Sequence, residues 1–151
     1  MSANTRCPVG SERIDEYAAR VNGAMTVVML GATFWEPMRW LLLYLLLDYA
    51  IKLLAGFAYS PGCFVARHIA DALGMPRESV PAAPKRFAGG FALIFLGGGL
   101  IAWYAAASFI AFAAFTSVFL VCTALDSFAG FCVGCYIYSL LPARIGNAFV
   151  R

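Results

Sequence analysis

From Phe87 to Leu125 the chain carries no Asp, Glu, Lys, Arg or His. A helix needs about 20 apolar residues to cross the hydrocarbon core of a bilayer. Continued to Phe128 as one helix, this run would reach roughly 60 Å, twice that thickness. It must fold back. The turn is predicted near Ala105–Ser108, just after the interfacial pair Trp103-Tyr104. Spans are therefore expected at 87–104 and 109–128. Upstream, 17–35 is a further span, the least apolar, with Asn22 and Thr26 inside it and Glu36-Pro37 closing it. The next, 38–59, contains the leucine-rich stretch Leu41–Leu47 and stops at Ser60-Pro61-Gly62. The turn between them is short, which predicts an antiparallel hairpin.

Residues 60–86 connect the second and third spans. Ser60-Pro61 is a helix-start signal, and Val65, Ile69, Ala72 and Leu73 follow at helical spacing. Arg67, His68 and Asp71 fall on other faces. This predicts a short amphipathic helix on the membrane surface, with His68 in solvent. Met75 to Pro84 is expected to be a proline-interrupted linker. The predicted fold is all-α: one membrane domain over residues 1–151, with four transmembrane helices. Gly89-Gly90 and Gly97-Gly98-Gly99 in the third span are expected to let helix backbones approach closely. A glycine-lined opening for a substrate is the alternative.

Composition agrees with the pattern. The 151 residues are 62% hydrophobic and 13% charged, with mean hydropathy +0.79. Soluble domains average about a quarter charged. The lipid bilayer is the expected surrounding. The net charge of +3 brings no basic run and no nucleic-acid motif, so nucleic acid is not an expected partner. Met1 to Arg20 is polar and lacks the apolar segment of a secretory signal, so a cytosolic tail is expected. Lys and Arg distribution sets orientation. Arg6, Arg13 and Arg20 precede the first span. Arg67, Arg77, Lys85 and Arg86 lie between the second and third, and Arg144 and Arg151 follow the fourth. The other side has Arg39 alone. Both termini and the middle connection are predicted to be cytoplasmic.

Chemistry concentrates in Cys132-Val133-Gly134-Cys135, at the cytoplasmic end of the fourth span. Two thiols in this spacing can cycle between dithiol and disulfide, or pass a persulfide sulfur. In a continuous helix they share one face. Gly130 and Gly134 instead permit a break and a new short helix, which would bring the thiols to free backbone N–H groups. The reactive thiol needs a depressed pKa, from such a helix start or from a cation such as Lys85 or Arg144. Cys7, in the tail, is a candidate resolving or accepting thiol. Cys63 belongs to the same side, whereas Cys122 is expected to be a packing residue within the bilayer. Cys7, Cys132 and Cys135 with Cys63 or His68 are an alternative ligand set for zinc or an iron–sulfur cluster. The second CxxC usual in such sites is missing, so no metal is expected. Nor is haem, since Tyr136 rather than His follows the motif.

Asp48 and Lys52 form the other constellation. They are i,i+4 neighbours in the second span, suited either to a proton or substrate path or to an ion pair that fixes packing. Asp126 ends the fourth span near the thiols. It is either an interfacial charge or a proton acceptor for Cys132 or Cys135.

Several segments together resemble a known bacterial membrane family, domain of unknown function 4395. They are Cys7-Pro8-Val9, Ala19-Arg20-Val21-Asn22, Leu47-Asp48-Tyr49-Ala50, Ala83-Pro84-Lys85-Arg86-Phe87-Ala88 and the segment from Gly130 to Tyr138. The last is the most specific. Cys7, Asp48, Lys85, Arg86, Cys132 and Cys135 match family motifs, without assigned roles. Relatives often carry a basic residue where this chain has Tyr136. The resemblance implies a small four-span inner-membrane protein, encoded beside thioredoxin-like or rhodanese-like proteins. The expected function is thiol–disulfide exchange or sulfur relay with such a partner, through Cys132, Cys135 and Cys7. A transporter or channel for a small sulfur compound, with Asp48, Lys52 and the thiols lining its path, and a non-catalytic membrane subunit are the alternatives.

Overall fold

The computed structural model describes residues 13–140. They form six α-helices and one short two-stranded ribbon. Helix α1 (Glu16–Ala32) starts at Asp15, whose carboxylate accepts the Tyr17 N–H at 3.1 Å. Such a cap satisfies a backbone donor that the first turn leaves free. Glu36-Pro37-Met38 makes a 3-10 turn into α2 (Trp40–Leu54). The predicted second span reached Tyr59, but the helix stops at Leu54. The cause is Gly56, whose φ of 101° is left-handed and incompatible with a continuing helix.

Helix α3 (Pro61–Ala72) begins where Ser60-Pro61 predicted, with the Ser60 hydroxyl accepting the Cys63 N–H at 3.3 Å. Its side toward α1 is made of small residues. Gly62, Ala66 and Ala70 pack on α1, while Val65, Ile69 and Leu73 turn outward. Small residues let the two backbones approach, which leaves the larger apolar side chains on the open face.

The ribbon was not predicted. Strand β1 (Arg13–Asp15) pairs antiparallel with β2 (Ser79–Pro81), Ile14 opposite Val80. It ties the start of α1 to the segment expected to be a plain linker. Helix α4 (Ala83–Tyr104) begins earlier than expected, with Pro84 in its first turn, where a missing N–H loses no bond. The chain turns at 105–108, as predicted, and α5 (Phe109–Ala124) is capped by the Ser108 hydroxyl. A π turn over Leu125–Ala129 prolongs α5 to Gly130, and α6 (Val133–Leu140) follows.

Two helices are long and apolar enough to cross a membrane, Ala83–Tyr104 and Phe109–Ala129. Helices α1 and α2, with 17 and 15 residues, are shorter, about 25 and 22 Å. The core between the helices is built from Leu30, Leu42, Leu45, Ala92, Leu96, Ala102, Phe112 and Phe119. The glycines of α4 divide by role. Gly98 lies against the Phe115 ring, and Gly99 against Leu42 and Thr116, as close packing predicts. Gly89, Gly90 and Gly97 have open space where a side chain would be.

Candidate functional site

The break after α5 has a local cause. Gly130 takes φ 66°, a left-handed conformation suited to glycine, and the Arg20 guanidinium occupies the place a Cβ would need. The chain reverses and α6 starts at Val133. Gly134 then sits on Ala88 of α4: a Cβ there would come within 2.8 Å of the Ala88 Cα. This close approach holds the first turn of α6 against α4.

Cys132 immediately precedes α6, and its sulfur accepts the Cys135 N–H at 3.3 Å. The helix break that the glycines permitted is therefore present, and it sets the thiol beside a free backbone donor. A hydrogen bond from the Cys135 thiol lowers the Cys132 pKa below the ordinary thiol value. The Cys135 N–H and Lys85 act in the same direction, whereas burial and Asp126 oppose it. The same bond drives Cys135 upward, reinforced by burial. The pair divides into a thiolate-prone member and a proton-holding member. Both are free thiols.

Cys132 faces a cavity of about 250 Å³. Its walls come from the first halves of α1 and α4, the second halves of α2 and α5, and the starts of α3 and α6. The lining is mostly apolar and includes Phe91, Phe95, Phe119 and the open Gly89. Cys63, Cys122, Cys132, Lys52, Lys85 and Asp126 are also among its lining residues. Cys135 is not part of the wall. The π turn carries Asp126, and it fits against α1 because Gly23 leaves room for Ser127. Cys122, expected to be a packing residue, borders the cavity.

Asp48 stands behind this wall and is 3% exposed, as is Lys52. One carboxylate oxygen pairs with Lys52. The other accepts the Ser60 hydroxyl at 2.6 Å and the Gly62 N–H at 3.1 Å. Lys52 also donates to Asn22 Oδ1 at 3.2 Å and lies 4.4 Å from the Tyr49 ring centroid. The group joins α2 to α1 and to the start of α3. Every oxygen of Asp48 is engaged, which favours the packing role of this ion pair. Gly62 is required in the group, since a Cβ would come 2.8 Å from Asn22 Oδ1 and 2.9 Å from Asp48 Oδ2.

The structure thus brings together Cys132, Cys135, Asp126 and Lys52, with Asp48 one layer behind. Cys7 and Arg144 lie outside the described residues. Cys63 and Lys85 gain a place on the cavity that the sequence indicated only as a shared side. The signal for Cys63 was its position in the first turn after Ser60-Pro61. His68 is exposed on α3, in edge contact with Phe64 at 4.5 Å. Arg39 lies at the opposite end of the bundle from the cavity, its guanidinium 3.6 Å from the Trp103 ring centroid. Among the described residues no three His, Cys, Asp or Glu side chains gather as a metal-binding group.

Neither the curated proteins nor the solved structures contain a match to this chain. The family model described as Domain of unknown function (DUF4395) does match, over residues 14–142. That span takes in the ribbon, the Asp48 group and the CxxC, and on this ground the chain belongs to the DUF4395 family.

Proposed function

We propose that this chain is a four-span thiol protein of the bacterial inner membrane, exchanging disulfides or relaying sulfur with a cytosolic thioredoxin-like or rhodanese-like partner. The observation that carries the reading is Cys132: a thiol with lowered pKa, bonded to the N–H of Cys135, facing a largely apolar cavity. Thiolate is the form that attacks sulfur. Cys132 attacks the partner's disulfide, one partner thiolate leaves, and Cys135, giving up its proton, resolves the mixed disulfide. With a partner persulfide, Cys132 attacks the outer sulfur, the partner thiolate leaves and Cys132 carries the persulfide. Asp126 is the proton acceptor on the same wall.

The four-span topology is supported by the outward apolar side chains of the two shorter helices, with Val28 72% and Leu47 56% exposed. The 3-10 turn at Glu36–Met38 leads directly into α2 and extends it at its start. Among the described residues, Arg39 is the lone basic side chain at the end away from the cavity, which favours a cytoplasmic cavity mouth.

The test is differential alkylation of the purified protein in nanodiscs, poised across glutathione redox buffers. Cys132 and Cys135 should convert together between alkylatable and disulfide forms at one potential. If mass spectrometry finds both inert in every buffer, and persulfide donors leave them unmodified, the proposal fails.

A second reading has one observation in its favour. The cavity is lined by Lys85, Lys52 and the open Gly89, which would suit a small anionic sulfur compound. Uptake into proteoliposomes that survives Cys132→Ser with Cys135→Ser would favour transport independent of the thiols.

A further inference from the structure

Two of the cavity's thiols have matching surroundings. Cys132 precedes α6, and Cys63 lies in the first turn of α3. Each has a lysine among the charges acting on it, Lys85 on Cys132 and Lys52 on Cys63. Cys63 is also held in place. Ser60 caps its N–H, and Asp48 in turn binds both the Ser60 hydroxyl and the Gly62 N–H. A buried ion pair is costly to keep in an apolar bundle. Here it fixes the start of α3, and with it the direction in which Cys63 faces.

We propose that Cys63 is a third working thiol, the acceptor inside the cavity for a sulfane sulfur carried on Cys132. This rests on Cys132 being the reactive thiol, as above, and gives the cavity its substrate class: persulfide and polysulfide sulfur. In the transfer, Cys63 attacks the outer sulfur of a Cys132 persulfide. A new S–S bond forms to Cys63, the S–S bond to Cys132 breaks, and its electron pair leaves as the Cys132 thiolate. The Cys63 proton passes to Asp126. No net oxidation occurs. The surroundings favour this direction. Cys132 is a good leaving group because its thiolate is stabilised, and leaving thiols of lower pKa depart faster. Burial raises the Cys63 pKa, so Cys63 rests protonated until sulfur is presented to it. The apolar lining shields the persulfide from water. Cys63 borders the cavity and Cys135 does not, so sulfur presented inside the cavity meets Cys63 there.

The experiment uses the full chain in nanodiscs with a limiting amount of inorganic polysulfide. Samples are quenched over time, and persulfides are mapped by alkylation and peptide mass spectrometry. The wild type should show the persulfide first on Cys132 and then on Cys63. Cys132→Ser should reduce labelling of Cys63 at least tenfold, and Cys63→Ser should let the Cys132 persulfide accumulate. As an independent check of proximity, diamide oxidation of Cys135→Ser should join Cys132 to Cys63. Equal labelling of Cys63 without Cys132 overturns the proposal. So does a Cys132 persulfide that never reaches Cys63, or a diamide bond from Cys132 to Cys122 or Cys7 instead. A wild type in which Cys132 takes up no sulfur while its disulfide forms normally also overturns it, and leaves thiol–disulfide exchange standing. A wild type in which Cys132 neither takes up sulfur nor forms a disulfide removes the underlying reading itself.

Discussion

Replacing Asp48 by Ala should be among the most destabilising single changes in this chain. The carboxylate serves three donors: the Lys52 ammonium, the Ser60 hydroxyl and the Gly62 N–H. With Lys52 only 3% exposed, its charge would remain buried with Asn22 Oδ1 as its remaining hydrogen-bond acceptor. Breaking a buried pair by removing one partner costs about 3–5 kcal/mol. An orphaned buried donor adds roughly 1–3 kcal/mol. These losses overlap, because water admitted to the gap relieves both, so the expected total is about 4–5 kcal/mol. Asp48→Asn keeps an acceptor for Ser60 and Gly62 and should fall about 1 kcal/mol short of that loss. Asp48→Leu combined with Lys52→Met removes both charges, and should cost less than Asp48→Leu alone. Detergent-solubilised protein can be titrated with SDS and followed by the fluorescence of Trp35, Trp40 and Trp103, in a double-mutant cycle. If both single variants lose less than about 1 kcal/mol, or their losses simply add, the pair does not organise the bundle.

The remaining predictions concern the thiols and the two ends of the bundle. Cys132 should alkylate at lower pH than an ordinary thiol, and Cys135→Ala or Lys85→Met should raise its titration point, because each removes a stabiliser of the thiolate. A stopped-flow pH profile that is unmoved by both changes would contradict the assigned cause. The reduced protein should also show a stability maximum near the ordinary thiol pKa, about 8.5. The lowered Cys132 pKa contributes stability that is lost as pH falls through it, and the raised Cys135 pKa contributes stability that is lost as pH rises above the unfolded value. Thermal melts across pH would show this maximum, and Cys132→Ser should weaken its acid side. Gly130→Ala should cost more than about 1 kcal/mol, since a left-handed φ is strained for alanine and the Cβ meets the Arg20 guanidinium. An SDS titration with an unchanged midpoint would count against that geometry. Arg39→Ala should shift Trp103 emission and lose about 1–2 kcal/mol from the desolvated cation–π contact. An unaltered emission spectrum would show the contact to be absent in solution.

Much of the helix plan was legible because long apolar runs and their breakers act locally. Ser60-Pro61 marked the start of α3, and the length of the run after Phe87 demanded the turn at 105–108. The end of α2 was less visible, since Gly56 lies within an apolar stretch and its positive φ leaves no trace in hydropathy. The ribbon could not be anticipated, because three-residue strands are too short to establish a period of two. The side of α3 that meets α1 was not legible from the spacing of its bulky apolar residues. In a bundle, glycine and alanine mark the contact face, and the bulky apolar residues that would be core in water turn outward. At the candidate site, spacing was enough to bring out Cys132 and Cys135. Asp48 was legible as a partner of Lys52, but Ser60 and Gly62 come from another helix, and no spacing rule joins them. The same holds for the meeting of Cys63, Cys122 and Lys85 at one cavity.

The ribbon has a consequence for the order in which the protein is made. Arg13, Ile14 and Asp15 leave the ribosome early, but their partners Ser79, Val80 and Pro81 appear only after α1, α2 and α3 have been synthesised. Until then Ile14, buried in the finished protein, lacks its neighbour across the ribbon. The start of α1 is therefore fastened late, by a long-range closure rather than a local one. A nascent chain halted before Ser79 would have its first three helices but no clasp, and would offer Ile14 to chaperones or proteases until translation resumed.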